Sequence, residues 1–504
     1  MPKNLLFKQH FSDFFNLTSL FFLLLGGAFT LVFAPFNLYI LASILMIPVF
    51  YACLKSTPKQ AAIYSFSFGI GHFLSGVYWV YISIHTFGNA PSWIALLLMF
   101  GLVILMSFYF CLAGYLISWL VNDRSFWLII IGPSVWVLFE WIKGWAFSGF
   151  PWLSIGYSQI DTFLSGWGPV LGVYGISWFL LLSSASFLHF YLRKRYFSAL
   201  SLMLLPYLFG ALLLNYSWTE DFDQPIATSI IQGGVSQDLK WKDEQLPKTM
   251  DLYLQATLNT ENESFVVWPE VAIPASLDQF ESYIDLLQKH LKRTNKKLAI
   301  GVLEKDESST HSYNSMMFLD GENRQFYRKR HLVPYGEYFP VPNFVRQWMR
   351  MQGLPNLDLL KGEDNQELIE FKERVYLATA ICYEIAFGSE QLYAFPEANI
   401  LLNISNDAWF GNSIAPHQHL QITRMRALET GRYLIRSTNN GISAFINPQG
   451  RLQKRSGQFE FEILSSYVQA RIGLTPYVMF GNWPIIVIIF CVISFAGYKR
   501  IRVF

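Results

Sequence analysis

The sequence predicts a polytopic α-helical membrane domain of about eight transmembrane helices joined to an α/β domain. Three observations carry that prediction. Of 504 residues, 52% are hydrophobic and only 15% are charged, which is the balance of a membrane protein rather than of a disordered or heavily solvated chain. Apolar runs long enough to cross hydrocarbon as helices recur through residues 17–216 and once more near the end. Between them lies one long stretch, 218–474, where charges of both signs mix and short β-like runs alternate with amphipathic helical ones. The net charge of +2 gives no reason to expect nucleic-acid binding.

The candidate spans run roughly over 17–36, 38–54, 61–84, 92–120, 126–146, 168–191, 197–216 and 477–497. The first two are crowded together, and the fourth is long enough to tilt or overrun a bilayer. The first run continues into Ala34-Pro35-Phe36 without a clean small-residue cleavage site, so it reads as an uncleaved anchor. Basic residues fall on alternate connections: Lys3 and Lys8, Lys55 and Lys59, Arg124, then Arg193, Lys194 and Arg195, and finally Lys499, Arg500 and Arg502. The connections 34–37 and 85–92 carry no Lys or Arg, and Lys143 is the one exception. The positive-inside rule then predicts both termini in the cytoplasm and the polar stretch outside. The expected organisation is a membrane domain over 1–217, an extracytoplasmic domain over 218–474, and a last helix with a short tail over 475–504.

Within the polar domain, Cys382 is the one cysteine, because Cys53, Cys111 and Cys491 fall in candidate spans. It ends the β-like run Val375–Ile381, and Tyr383 and Glu384 follow it. Taken alone, such a thiol also fits a small buried hydrophobe. Two other run-ends carry charge: Val266-Val-Trp-Pro-Glu270 and Phe326-Tyr-Arg-Lys329. A carboxylate can take a thiol's proton, and an ammonium can stabilise the thiolate and a developing oxyanion. Trp268 and Pro269 suggest a desolvated setting for Glu270, against the plainer reading of a surface acid just past a strand. Lys329 lies among four cationic or potentially cationic residues, 328–331, a pattern that also fits a solvated face; the switch to Leu-Val-Pro-Tyr-Gly-Glu337 argues for a structured loop. Glu337 can hold the lysine or the thiol, or be an ordinary turn acid. Asp407 reads as another strand end feeding the site, or as a helix N-cap residue. His417 and His419 lack a third ligand, so no metal site is predicted. Over 343–351, Phe344, Val345, Trp348 and Met349 share one helical face, as in a lipid-facing lid or in a core-facing helix. Glu140, inside the fifth span, needs a polar partner; Lys143, about one turn on, is the candidate.

These motifs are similar to those of the apolipoprotein N-acyltransferases, membrane enzymes of Gram-negative bacteria whose soluble part belongs to the nitrilase (carbon–nitrogen hydrolase) superfamily. The resemblance covers essentially the whole chain. It rests on Val-Trp-Pro-Glu270, Tyr-Arg-Lys329-Arg-His-Leu-Val-Pro, Cys382-Tyr-Glu, Tyr313-Asn-Ser315, Asn406-Asp-Ala-Trp-Phe-Gly411, the run from Gln418 to Gly441, and the membrane-edge run Glu140–Trp152. Tyr335, Lys143 and Ser148 stand where Phe, Arg and Thr are commoner. The resemblance implies an αββα sandwich for the polar domain. It implies Glu270 as general base, Lys329 as oxyanion and thiolate stabiliser, and Cys382 as nucleophile. It also implies supporting or substrate-binding roles for Glu337, Tyr383, Glu384, Trp241, Asn314 and Asp407. The implied reaction needs no cofactor: the sn-1 acyl chain of a phospholipid passes through a Cys382 thioester to the α-amine of a diacylated apolipoprotein. The implied location is the bacterial inner membrane, with the bilayer itself as a partner.

Overall fold

The computed structural model describes residues 16–260, 264–309, 311–321, 323–351 and 358–502. Lys3 and Lys8, used in the topology reading, and residues 352–357 of the proposed lid lie outside the described residues. The chain divides into two compact units, one of residues 1–81, 93–216 and 479–504, the other of 82–92 and 217–478.

The first unit is helical. Among the described residues, five helices have the length and hydropathy to cross a membrane: Ser92–Val121, Ser125–Lys143, Phe163–Leu192 (whose first turn is 3-10), Tyr196–Leu214 and Trp483–Arg502. Two shorter apolar helices cover Leu17–Val32 and Leu41–Lys55. The expected span 61–84 is instead a helix over Pro58–Gly76 followed by the short turn Trp79–Ile82. Gly, Ser and His residues lower its hydropathy, and they let neighbours approach. A Cβ on Gly26 would lie 1.9 Å from the Phe68 carbonyl oxygen, and one on Gly71 would lie 1.9 Å from that of Leu23. Small residues at such a crossing permit backbone-to-backbone packing between apolar helices. Glu140 is buried, but its carboxylate is met by the Ile155 N–H at 3.0 Å and the Ser177 hydroxyl at 2.7 Å. Lys143 donates to the Trp152 carbonyl at 2.6 Å. Both side chains thus brace the 150–156 connection, and the expected Glu140–Lys143 partnership is a charge attraction alongside these contacts.

The second unit is a four-layer α/β sandwich. The strands of its two large sheets are β1 Ile226–Gln232, β2 Phe265–Val267, β3 Lys297–Lys305, β4 Ser312–Leu319, β5 Arg324–Arg328, β6 Ile369–Lys372, β7 Val375–Ile381, β8 Ala398–Ser405, β9 Tyr433–Thr438, β10 Ala444–Ile446, β11 Leu452–Arg455 and β12 Glu462–Val468. One six-stranded sheet runs β12-β1-β2-β3-β4-β5, and the other runs β11-β10-β9-β8-β7-β6. The β1–β2–β3 and β7–β8–β9 neighbours are parallel, so each connection must cross over and bring a helix or long loop onto the outer face.

Strand periodicity builds the layers. Ile230, Phe265, Val267, Leu377, Ile381, Leu402 and Ile435 face inward and form the core between the sheets. The alternate residues Ile231, Val266, Leu298 and Ile300 pack outward. There they meet helix α1, Leu246–Leu258, and helix α2, Glu281–Thr294, whose Ile284, Leu287 and Leu291 follow the helical period. On the other side Ala378, Ala380, Leu401 and Leu434 meet Leu420 and Ala427. Those two residues lie on a long, almost wholly buried helix, Ala415–Thr430. One segment of the expected 1–217 membrane domain belongs to this second unit. Its wide turn, Ser83–Phe87, lets Ser83 Oγ donate to the Trp409 carbonyl at 2.8 Å and sets Phe87 edge-on to Trp409.

Candidate active site

In parallel sheets, ligands and reacting groups collect beyond the carboxyl ends of the strands. Here β2, β5 and β7 end just before Glu270, Lys329 and Cys382. The structure brings the three together. Lys329 continues the ladder one residue past β5, its N–H donating to the Asn314 carbonyl at 2.8 Å. Its ammonium lies 2.8 Å from a Glu337 oxygen and 3.5 Å from a Glu270 oxygen. Asn314, on β4, spans the two acids, donating from Nδ2 to Glu270 at 2.7 Å and to Glu337 at 3.1 Å. The second Glu270 oxygen accepts the Asn406 N–H at 2.7 Å, and the second Glu337 oxygen accepts the Val333 N–H at 2.8 Å. Glu270 is only 6% exposed, which removes the reading of a surface acid. Gly301 makes its position possible, because a Cβ there would lie 2.5 Å from the Glu270 Cα.

Lys329 is fully buried, and burial disfavours its charge. The Glu337 and Glu270 carboxylates outweigh that penalty and hold its pKa above the ordinary lysine range, so the amine stays an ammonium. Cys382 keeps some solvent exposure, yet its thiol is pushed up to about 12 by burial and then by the Glu270 charge. Lys329 and a hydrogen bond with Ser405 oppose that rise without cancelling it. At rest the residue is therefore a thiol. Moving its proton to Glu270 removes the carboxylate charge that disfavours the thiolate and leaves the Lys329 charge that favours it.

Glu384 ties these strand ends together. One of its oxygens accepts the Arg330 N–H at 2.6 Å and the His331 N–H at 3.1 Å; the other accepts the Ile381 N–H at 2.6 Å. The Tyr327 hydroxyl is shared between the two. A carboxylate so placed fixes the loop after Lys329 against the strand before Cys382. Tyr383 packs edge-on to His331 and Phe387. Apart from Arg328, whose side chain is 43% exposed, the basic run is an internal scaffold rather than a solvated face. Arg328 pairs with Glu304, Arg330 donates to the Asp364 and Glu390 carbonyls and lies over the Tyr393 ring, and His331 pairs with Glu390.

Two predicted residues stand elsewhere. Trp241 ends a short turn after Gln237–Lys240 and is about half exposed. Asp407 follows the end of β8 and opens a short 3-10 turn, and its carboxylate, one layer behind, bonds Ser405, His419 and Arg436. Trp268 differs from expectation too. It stacks on Tyr253 in the outer layer, and Lys329, Asn314 and the Asn406 N–H meet the Glu270 oxygens instead. Helix α3, Asn343–Met351, is held by an Arg346–Asp358 ion pair. Phe344 is 73% exposed and Trp348 43%, which excludes a core-facing helix; Val345 is half-buried, and the Met349 side chain lies outside the described residues. Sequence reasoning missed Asn406 as a backbone donor. It also missed Lys240, a buried amine whose ammonium contacts the Glu270 carbonyl at 3.4 Å and whose pKa burial lowers to about 8. Both neighbour motifs the sequence displays, but only the tertiary fold aims them.

The chain is 36% identical over 467 residues to the apolipoprotein N-acyltransferase of Methylococcus capsulatus, a match covering 90% of each protein. The chain belongs to the apolipoprotein N-acyltransferase family. The enzyme of that name from Nitrosomonas europaea is 38% identical over 466 residues, covering 91% of this chain and 92% of its own. Residues 25–186 match the apolipoprotein N-acyltransferase N-terminal domain, and 229–477 match the carbon-nitrogen hydrolase family. The protein is an acyltransferase enzyme with a nitrilase-like α/β domain, and its apolar helices fit a membrane protein.

Proposed function

We propose that the protein transfers the sn-1 acyl chain of a phospholipid to the α-amine of the N-terminal diacylglyceryl-cysteine of apolipoproteins, by a ping-pong route through a Cys382 thioester. The observation that carries this reading is Lys329 held between Glu270 and Glu337 beside a thiol protonated at rest. Glu270 takes the thiol proton as sulfur attacks the ester carbonyl. Lys329 and the Tyr383 N–H meet the oxyanion, and Glu270 returns the proton to the departing lysophospholipid oxygen. In the second half, the neutral amine attacks the thioester carbonyl and loses a proton to Glu270. The C–S bond breaks, and the Cys382 thiol is restored. An α-amine of ordinary pKa, about 7.7–8.0, is already partly neutral near pH 7.5.

Glu337 and Asn314 orient the charged pair, Glu384 and Tyr383 shape the nucleophile's turn, and Trp241 borders the substrate. The bounds 1–217, 218–474 and 475–504 are read as membrane, periplasmic catalytic and C-terminal anchor domains, with about eight helices in a bacterial inner membrane and cytoplasmic termini. Since donor and acceptor are both lipids, residues 340–362 are read as a lid whose Phe344, Val345, Trp348 and Met349 enter the lipid surface. The test is lipoprotein N-acylation by Cys382→Ala and Cys382→Ser. The alanine variant is expected to be inactive and the serine variant to keep a trace at most; wild-type activity in either defeats the mechanism.

A further inference from the structure

Cys382 occupies a backbone position that side-chain-bearing residues rarely adopt, with φ at +53°. Strand β7 stops at Ile381, and the chain turns through Cys382 into a tight turn ending at Ala386. Glu384 holds the Ile381 N–H, and so the 380–381 peptide, one unit before the peptide that joins Ile381 to the cysteine. The peptide after it is secured from another direction, since the Cys382 carbonyl oxygen lies 3.2 Å from His419 Nε2. A carbonyl only accepts, so Nε2 carries a proton. The other ring nitrogen is 2.9 Å from Asp407 Oδ1 and 3.0 Å from Arg436 Nη2. Burial and then Arg436 keep the ring neutral, so with Nε2 protonated Nδ1 accepts the Arg436 N–H, and Asp407 holds that guanidinium in place. Arg436 also donates to Asp407 Oδ2 at 2.7 Å, and Ser405 donates to Asp407 Oδ1 at 2.8 Å. Ser405, Asp407, His419 and Arg436 are each at most 1% exposed. None of the proton transfers described above uses this cluster.

The peptide unit is planar and trans, so its carbonyl and its N–H point in opposite directions. Fixing the Cys382 carbonyl therefore also fixes the direction of the Tyr383 N–H. We infer that His419, backed by Asp407 and Arg436, is a positioning residue that clamps the 382–383 peptide and thereby aims the Tyr383 N–H at the oxyanion. This inference rests on the Cys382 acyl-transfer reading.

The experiment compares His419→Gln, whose amide can replace Nε2–H, with His419→Asn, whose amide can replace only the Nδ1 side. Two rates are read at Cys382: acylation by a water-soluble p-nitrophenyl ester, which passes through an oxyanion, and alkylation by iodoacetamide, which does not. His419→Asn is expected to slow acylation at least about tenfold, through kcat rather than KM, as loss of an oxyanion donor does. Alkylation should stay near the wild-type rate, and His419→Gln should recover most of the lost acylation. The reverse order of the two variants, or equal loss of acylation and alkylation, overturns the inference. If His419→Asn does not fold, Asp407→Asn serves: it should slow acylation even though loss of the Asp407 charge favours the thiolate and quickens alkylation, and unchanged acylation overturns the inference. Because the ester is not a lipid, failure of wild-type protein to use phospholipid defeats the lipid reading while leaving this comparison readable.

Discussion

Two buried charge clusters flank Cys382, and they are built differently. In front, one lysine sits between two carboxylates, and an asparagine amide spans both acids. Behind, one carboxylate sits between an arginine and a histidine, and the ring meets the nucleophile's own carbonyl. In the front cluster two acids share Lys329, with Lys240 at the Glu270 carbonyl, and the Glu270 carboxylate can receive the thiol proton. The rear cluster is charge-matched by a guanidinium that does not give up its proton at any ordinary pH. Proton traffic therefore belongs to the front and geometry to the rear. Substitutions in the two places should fail in different ways.

The largest separation is expected at Glu270. Replacing it with Gln removes the base, and acyl transfer should fall about 10²–10⁴-fold. The same change removes a negative charge that holds the Cys382 thiol up, so its pKa should drop and iodoacetamide should react faster at pH 8. In the wild type, the alkylation rate should keep climbing past the ordinary thiol range toward about 12; in Glu270→Gln, it should level off at lower pH. A slower variant would mean that Glu270 is not what suppresses the thiolate.

Lys329→Met comes next. It should reduce acyl transfer about 10²–10³-fold, as loss of an oxyanion stabiliser does. With the ammonium gone the thiol rises further, so alkylation should slow, opposite in sign to the Glu270 variant. Rear-cluster damage should appear as instability instead. Arg436→Met leaves Asp407 buried without its matched cation, a change that costs about 3–5 kcal/mol in comparable sites. Thermal unfolding measures it, and an unchanged melting temperature would show that the rear cluster is not an energetic unit. The smallest effect belongs to the exposed helix α3. Phe344→Ser with Trp348→Ser should lower phospholipid turnover and leave a soluble ester untouched; equal losses would remove the lid reading.

Much of the front cluster is legible in the sequence because its residues sit where apolar strand runs stop, and such stops are local signals. Glu270, Lys329 and Cys382 each follow a readable run. The rear cluster is less legible. His419 lies on a helix buried on nearly every side, where no amphipathic period marks one face, and its partners are 12, 17 and 37 residues away. The Asn406 contact is equally hidden, since a backbone N–H has no sequence signature. In the helical unit, hydropathy finds the long spans but not the break after Gly76, nor the clustering of 82–92 with the α/β unit. Both depend on packing partners remote in sequence.

The Cys382 sulfur is expected to carry a fatty acyl group. Incubation with a phospholipid isotopically labelled in its sn-1 chain, then acid quench, digestion and mass spectrometry of the Cys382 peptide, tests it directly. A labelled thioester is expected on that peptide, and it should disappear when a diacylated lipopeptide amine is added. Turnover of the labelled lipid with no adduct on Cys382, or an adduct that the amine does not discharge, would contradict it.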